Sequence, residues 1–306
     1  MRRERRPTVR RGAAVAALEL LGPPRPYEWR RALSVPGALW VCCAVAGSVL
    51  GQAGAVRVAA LTGPLRRAVT DPPVLAAWVI ALLLAWAVAG TAALAGGRLV
   101  ERLWLRRDWG RIGAALLRRR TRRWSAACAA AEAARAVAVA PGATAADLAA
   151  FHHTAARRNR LAMAEPSCPG PLADRMAALE RRVDGQYALD LPAAWPLLWL
   201  LLPGPVRDDV RGARARWEAA TVWAAWGVLF LLLVPVWWPA ALPGLLLCWW
   251  GRHLAGAALD ELARLTEAAV DVHGLDLARK LGVAQDQPTF EPCLGRAVTA
   301  VARKGT

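Results

Sequence analysis

The stretch Pro72–Gly97, PPVLAAWVIALLLAWAVAGTAALAGG, runs for 26 residues without a charged side chain. A helix needs about 20 apolar residues to cross the hydrocarbon core of a bilayer, so this stretch is long enough to span it. Two other uncharged stretches are of comparable or greater length, Ala32–Val56 with 25 residues and Ala219–Gly251 with 33. The three stretches together predict an integral membrane protein.

The composition supports this prediction. Of the 306 residues, 56% are hydrophobic and 21% are charged. The two kinds of residue are segregated along the chain, whereas a single soluble globule of this composition would expose too much apolar surface. This segregation excludes a soluble enzyme, a secreted disulfide scaffold and a disordered chain.

The longest uncharged stretch is expected to hold two spans. Its 33 residues exceed one straight span, and Pro235, Pro239 and Pro243 interrupt its middle beside Trp237-Trp238. Proline breakers flanked by interfacial tryptophans indicate a very short external turn. The predicted fold class is therefore all-α, with four transmembrane helices in two hairpins plus a cytoplasmic helical domain.

The distribution of arginine along the chain predicts how the chain is oriented in the membrane. The chain carries 40 basic and 23 acidic residues, and residues 98–216 alone contain 21 arginines against 11 acids. Loops rich in arginine stay in the cytoplasm, so we expect a cell-membrane protein with both termini inside. In chain order, the prediction is a basic cytoplasmic arm (1–31), transmembrane helices 1 and 2 (32–97), the cytoplasmic helical domain (98–216), transmembrane helices 3 and 4 (217–259), and a cytoplasmic C-terminal helix and tail (260–306).

The cytoplasmic residues read as helical throughout. Thr144 and Asp147 predict a capping box, and Leu172, Met176, Leu179 and Val183 predict an amphipathic helix. We expect the helix of span 2 to continue through Leu116 or to bend at Gly110, the acidic residues of 260–306 to dock onto the basic helices, and the residues after Gln285 to be loose. The apolar helix near 191–203, opened by Asp190, is too short to cross and is expected at the inner membrane face or packed against the spans.

Small residues recur every four positions in spans 1 and 2 and let helix backbones approach closely. This pattern fits packing within the chain or a seam between copies in a self-associating protein. The candidate helix-packing residues are Gly47, Gly51, Ala81, Ala85 and Ala89.

Two groups of charged residues are candidates for contacts. The run Arg118, Arg119, Arg120, Arg122 and Arg123 predicts contact with anionic lipid headgroups or an unknown protein partner. Nucleic acid is not the expected partner, because only one aromatic residue, Trp124, adjoins the run. Arg252 and His253 are intramembrane polar candidates, either functional or reaching to the headgroups.

No motif indicates catalysis. The six cysteines lack metal-binding spacing, and neither His152-His153 nor Asp271-x-His273-x-x-Asp276 forms a convincing ligand set. A nucleophile elbow, a Walker loop and H-E-x-x-H are absent from the sequence. We predict no enzymatic activity, no cofactor and no metal.

The segments Tyr187–Pro203 and Glu267–Val283 resemble uncharacterised four-pass membrane proteins of actinobacteria, which implies a four-pass layout and no activity. Two span pairs around a helical cytoplasmic domain also resemble bestrophin-type channels, in topology only. The expected function is a non-enzymatic, membrane-anchored interaction or scaffold module. The alternative is a homo-oligomeric pore or ion channel, with Ala44, Ser48 and Gln52 as its candidate polar row.

Overall fold

The computed structural model describes residues 35–55, 62–63, 72–162, 164–284 and 286–304. The predicted arm at 1–31 and most of the loop at 57–71 lie outside the described residues. The described residues form helices and no strands, which confirms the all-α fold class.

The chain divides into two compact units. The apolar unit contains the described residues of 35–103 and 209–262, and the basic unit contains 104–208 and 263–304. The helices are α1 (Val35–Leu50), α2 (Pro72–Leu105), α3 (Gly110–Ala138), α4 (Ala145–Leu161), α5 (Pro171–Tyr187), α6 (Leu191–Leu201), α7 (Gly204–Leu232), α8 (Ala241–Lys280) and α9 (Pro292–Ala302).

Among the described residues, one helix, α2, is long and apolar enough to cross a membrane. Only 11% of its most apolar 18-residue window is buried within the protein. A core helix of a soluble protein would bury most of such a window, since exposing it to water costs about 25 cal/mol per Å² of apolar surface. Large exposed side chains cover α2, namely Trp78, Val79, Ile80, Leu83, Leu84 and Val88.

The other three predicted spans form helices but remain predictions as spans. α1 has 16 residues, or about 24 Å at 1.5 Å per residue, against a hydrocarbon core of about 30 Å. In α7 the uncharged helical part runs only from Ala219 to Leu232, because the chain turns at 233–236. α8 meets Arg252 about 17 Å after it begins at Ala241.

The apolar unit is held by close helix packing and by tryptophan hydrogen bonds. Trp40 donates from Nε1 to the Leu229 carbonyl oxygen at 3.0 Å, which links α1 to α7. Trp226 packs against Ala89 and Ala93 of α2. Trp40 and Trp226 therefore fix helix positions within this unit.

A mostly buried ion triad lies where the apolar part of α2 gives way to charged residues. Arg214 of α7 donates from Nε to Glu218 Oε1 at 2.6 Å, and its Nη1 lies 2.8 Å from Glu101 Oε1 of α2. Trp217 Nε1 donates to the same Glu101 oxygen at 3.1 Å. Two carboxylates thus share the Arg214 guanidinium, and the Trp217 indole supplies a second donor to Glu101.

In the basic unit, α3 and α4 pack as a helical hairpin. The predicted capping box is confirmed: the Thr144 side chain accepts from the Asp147 amide while Asp147 accepts from the Thr144 amide. The Thr144 hydroxyl also donates to the Asp147 carboxylate at 2.6 Å, and this bond and that from the Thr144 amide lower the pKa of Asp147. The sequence thus located the start of α4 correctly.

The expectation that the helix of span 2 continues through Leu116 is wrong. The helix ends at Leu105, residues 106–109 are not helical, and Gly110 adopts φ +58°. Asp108 Oδ1 accepts the Gly110 amide at 2.8 Å, a side-chain bond that competes with the helical one. The bend predicted at Gly110 is confirmed, and the helix is fully interrupted there over residues 106–109.

The core of the basic unit lies among α5, α6 and α9. The predicted stripe of α5 is confirmed, since Leu172, Met176, Leu179 and Val183 are all buried. α6 begins after Asp190 as predicted, and its Leu191, Ala194, Trp195 and Leu198 are buried. This short helix is therefore a core helix of its own unit.

The expectation that residues after Gln285 are loose is wrong. They include α9, whose Leu294, Gly295 and Val298 are buried. Thr299 accepts the Asp190 amide through Oγ1 at 3.0 Å, and Arg303 pairs with the Asp190 carboxylate. Asp190 thus joins α6 to α9 instead of capping its own helix with its side chain.

Candidate interaction surface

The five arginines of the predicted run divide between two sides of α3. Gly113, Arg120, Trp124 and Ala131 follow one another at helical spacing on the side that is wholly or partly buried. Arg118, Arg119, Arg122 and Arg123 lie on the exposed side. The run therefore combines one structural arginine with four surface arginines.

Arg120 is bound to Asp174 of α5. Its Nη2 lies 3.0 Å from Asp174 Oδ2, and the two side chains are only 15% and 7% exposed. The guanidinium also donates to the carbonyl oxygens of Leu161 and Cys168, at 3.1 and 3.0 Å. The prediction that Arg120 contacts lipid or a partner is therefore wrong, because its guanidinium binds Asp174 and two backbone carbonyl oxygens within the protein.

Asp174 in turn holds the loop that precedes α5. Its Oδ1 accepts from the Ser167 amide at 2.8 Å, the Ser167 hydroxyl at 3.1 Å and the Cys168 amide at 3.3 Å. Cys168 is buried, and burial raises the pKa of its thiol. The Arg120–Asp174 pair therefore closes the end of the α3–α4 hairpin onto α5.

The four surface arginines form what we call the outer face of α3. Together with Ala115 and Ala126 they line an open groove on this single helix. None of the four has an acidic partner within 4 Å in the described part of the chain. No carboxylate of the described residues therefore neutralises their charges.

Large apolar side chains continue the outer face toward the start of α3. Ile112 and Leu116 lie seven and three positions before Arg119, which places all three on one side of the helix. Ile112 is 70% exposed and Leu116 is 47% exposed. The face thus pairs an apolar end with a cationic end.

The C-terminal part of α8 docks through its acidic residues, as expected. Arg182 of α5 donates from Nε and Nη2 to the two carboxylate oxygens of Glu267, at 3.0 and 2.9 Å. Tyr187 donates its hydroxyl proton to Asp271 Oδ1 at 2.8 Å. Burial and this hydrogen bond raise the pKa of Tyr187 to about 12.

The small-residue candidates lie in different environments. A Cβ at Gly47 would come within 2.8 Å of Trp237 Cβ, so this glycine makes room for the turn after α7. Gly51 lies beyond the end of α1 with φ +60°, and a Cβ there would meet nothing within 4 Å. The helix ends at Leu50, so Gly51 is not part of the small-residue packing surface that includes Gly47. Its positive φ, which glycine adopts readily, explains the residue type at this position.

The alanine row of α2 is buried only at its end. Ala81 is exposed, Ala85 is half-buried and Ala89 is buried against Trp226 of α7. Further along, a Cβ at Gly97 would lie 3.0 Å from Val222 of α7. The described packing of this row is therefore within the chain and against α7.

Arg252 and His253 are both exposed on α8. The His253 ring stacks on Trp249, with ring centroids 5.8 Å apart and planes 10° from parallel. Trp250 lies beside them, its centroid 6.5 Å from that of His253. This aromatic group on an exposed helix side has the amphipathic chemistry of a membrane interface.

Gln52 belongs to the polar row that was predicted to line a pore, and its side chain is hydrogen-bonded to the turn after α7. Its side-chain nitrogen donates to the carbonyl oxygens of Val234 and Pro235, both at 2.7 Å. Its side-chain oxygen accepts the Trp238 amide at 3.2 Å. The amide thus holds the 233–238 turn.

Within the described residues, no group of three or more His, Cys, Asp or Glu side chains is placed to hold a metal ion. His152 and His153 are exposed on α4. Asp271 is bound to Tyr187, while His273 Nδ1 lies 3.9 Å from Asp276. The six cysteines are free thiols.

A close backbone contact between two helices of the apolar unit was missed by sequence reasoning. A Cβ at Gly227 of α7 would lie 2.6 Å from the Cys248 amide nitrogen, and one at Gly251 of α8 would lie 2.6 Å from the Ala224 amide nitrogen. The signal was present as small residues at steps of four and three: Ala220, Ala224 and Gly227, and Gly244, Cys248 and Gly251. We call this contact the α7–α8 seam.

Comparison with known proteins adds no relative. No family model, no curated protein and no solved structure matches this chain. The resemblances drawn from sequence segments therefore stay predictions, and the outer face of α3 is interpreted from its own chemistry.

Proposed function

We propose that this chain is a non-enzymatic integral membrane protein with four spans, whose basic unit lies in the cytoplasm and acts as an interaction or scaffold module. The observation that carries the proposal is the outer face of α3, with four exposed arginines that have no acidic partner among the described residues. An interaction surface of this kind must be held in place, and the Arg120–Asp174 pair supplies a buried anchor for it.

Three features support the proposed membrane anchor and its orientation. The exposed apolar surface of α2 suits a lipid environment, and its apolar stretch ends where Arg98, Glu101 and Arg102 begin. The basic unit contains many more arginines than the loop at 57–71, and this difference favours a cytoplasmic location for the basic unit. The α7–α8 seam supports a helical hairpin, since small residues drive close helix association in lipid.

The topology is tested by cysteine labelling in intact cells. Cys293 is exposed in the basic unit, whereas Cys168 is only 3% exposed and is unsuitable as a reporter. We expect a variant that retains only Cys293 to resist a membrane-impermeant maleimide in intact cells and to react after lysis.

The matched control is a Thr62→Cys variant without other cysteines, since the loop at 57–71 is predicted to be external. It is expected to react in intact cells. Labelling of Cys293 before lysis would place the basic unit outside and refute the proposed topology.

A further inference from the structure

We propose that the outer face of α3 rests on the anionic surface of the bilayer in which the chain is anchored, so that α3 is an interfacial amphipathic helix. The inference rests on the proposed function, because it requires α2 to lie in that bilayer. It assigns the arginine face one occupant, the phosphate-bearing headgroups of anionic lipids.

The charge of the face fits this occupant. Arg118, Arg119, Arg122 and Arg123 present four guanidinium groups on one helix side, and guanidinium donors match phosphate oxygens in geometry. Each arginine close to an anionic membrane strengthens binding about fivefold. A row of four is therefore enough to hold a helix that is already tethered to the membrane.

The apolar end of the face favours lipid over an acidic polypeptide. Ile112 and Leu116 are exposed on the same side as the arginines, and Trp109 at the helix start is 40% exposed. An interfacial helix buries such side chains about 5–10 Å into the boundary between headgroups and acyl chains. The combination of tryptophan, aliphatic residues and arginine on one face is typical of helices that lie in a membrane surface.

The position of α3 in the chain allows this face to reach the bilayer. α3 begins at Gly110, five residues after α2 ends at Leu105. A continuous straight helix would carry Arg118 roughly 30 Å beyond Gly97, far outside a Debye length of about 8 Å. The interruption at 106–109 and the φ of +58° at Gly110 remove that constraint.

The test uses the full chain in nanodiscs and an environment-sensitive NBD label at Leu116→Cys, with the six native cysteines replaced by alanine. The discs contain either phosphatidylcholine alone or equal parts of phosphatidylcholine and phosphatidylglycerol. We expect a blue shift of the NBD emission in the anionic discs, and its loss in 1 M NaCl, where the Debye length falls to about 3 Å. A label at Ala149→Cys, at an exposed position on α4 outside this face, should show no shift.

Paired substitutions of equal charge identify the arginines involved. Arg119→Gln with Arg123→Gln should abolish the shift, whereas Arg157→Gln with Arg160→Gln on α4 should leave it unchanged. Equal emission at Leu116→Cys in the two kinds of disc would overturn the inference, and so would a shift produced in phosphatidylcholine discs by added poly-glutamate alone. A chain that fails to enter nanodiscs would instead contradict the proposed function.

Discussion

Replacing Gly251 with leucine is expected to prevent the apolar unit from folding. A Cβ at this position would lie 2.6 Å from the Ala224 amide nitrogen and 2.8 Å from the Ala220 carbonyl oxygen. Both are backbone atoms of α7, so the clash cannot be relieved by a side-chain rotation. Overpacking in a core already costs about 1–3 kcal/mol, and separating two helices should exceed the upper figure.

The effect is measured as the yield of monodisperse protein in mild detergent. The control is Gly185→Leu in α5, where an added Cβ would meet nothing within 4 Å and leucine is a better helix former than glycine. We expect Gly185→Leu to match the unmodified chain. Equal recovery of the Gly251→Leu variant would show that α7 and α8 do not meet as described.

Replacing Asp174 with alanine should destabilise the basic unit by about 3–5 kcal/mol, because the change leaves the nearly buried Arg120 without its counter-ion. The loop at 167–168 loses three hydrogen bonds in the same step. Thermal unfolding should therefore shift to lower temperature. In a variant with Cys168 as the sole cysteine, the thiol should also become reactive toward a maleimide.

Asp184→Ala is the matched control, since Asp184 is an exposed carboxylate on the same helix. It should leave both the unfolding temperature and the reactivity of Cys168 unchanged. If Asp174→Ala behaves like this control, the Arg120–Asp174 pair does not anchor the hairpin.

Local rules of the sequence predicted much of the basic unit. The Thr144 cap, the buried stripe of α5 and the start of α6 depend on residues within one or two helical turns, so spacing alone specifies them. The inward turn of Arg120 could also have been found. It lies four residues before Trp124 and seven after Gly113, on the side of α3 that packs inward.

Tertiary contacts determined what the sequence did not predict. The apolar period through Leu105, Trp109, Ile112 and Leu116 continues across 106–109, yet the helix does not. There, Arg107 Nη2 is held 2.6 Å from Glu180 Oε1, which lies 73 positions away in the chain. α9 likewise depends on a distant partner, because the absence of a Cβ at Gly295 lets it approach the Tyr187 carbonyl group.

The proposed location in the membrane rests both on sequence patterns and on the packing of the helices. Uncharged length, together with the prolines that divide the longest stretch, predicted four spans. Helix ends and the placement of Arg252 leave α2 as the one helix among the described residues that meets the length and apolarity of a span. Low burial of α2 adds what composition could not supply, namely that its apolar surface is available to lipid.

Extraction of cell membranes with alkaline carbonate tests whether the chain is inserted in the bilayer. Carbonate strips proteins held by charge, including any held only by the arginines of α3, but leaves inserted helices in place. We expect the full chain to stay with the membrane pellet and to be released only by detergent, as a monodisperse species. Release of the chain into the carbonate supernatant would contradict the proposal that it is an integral membrane protein.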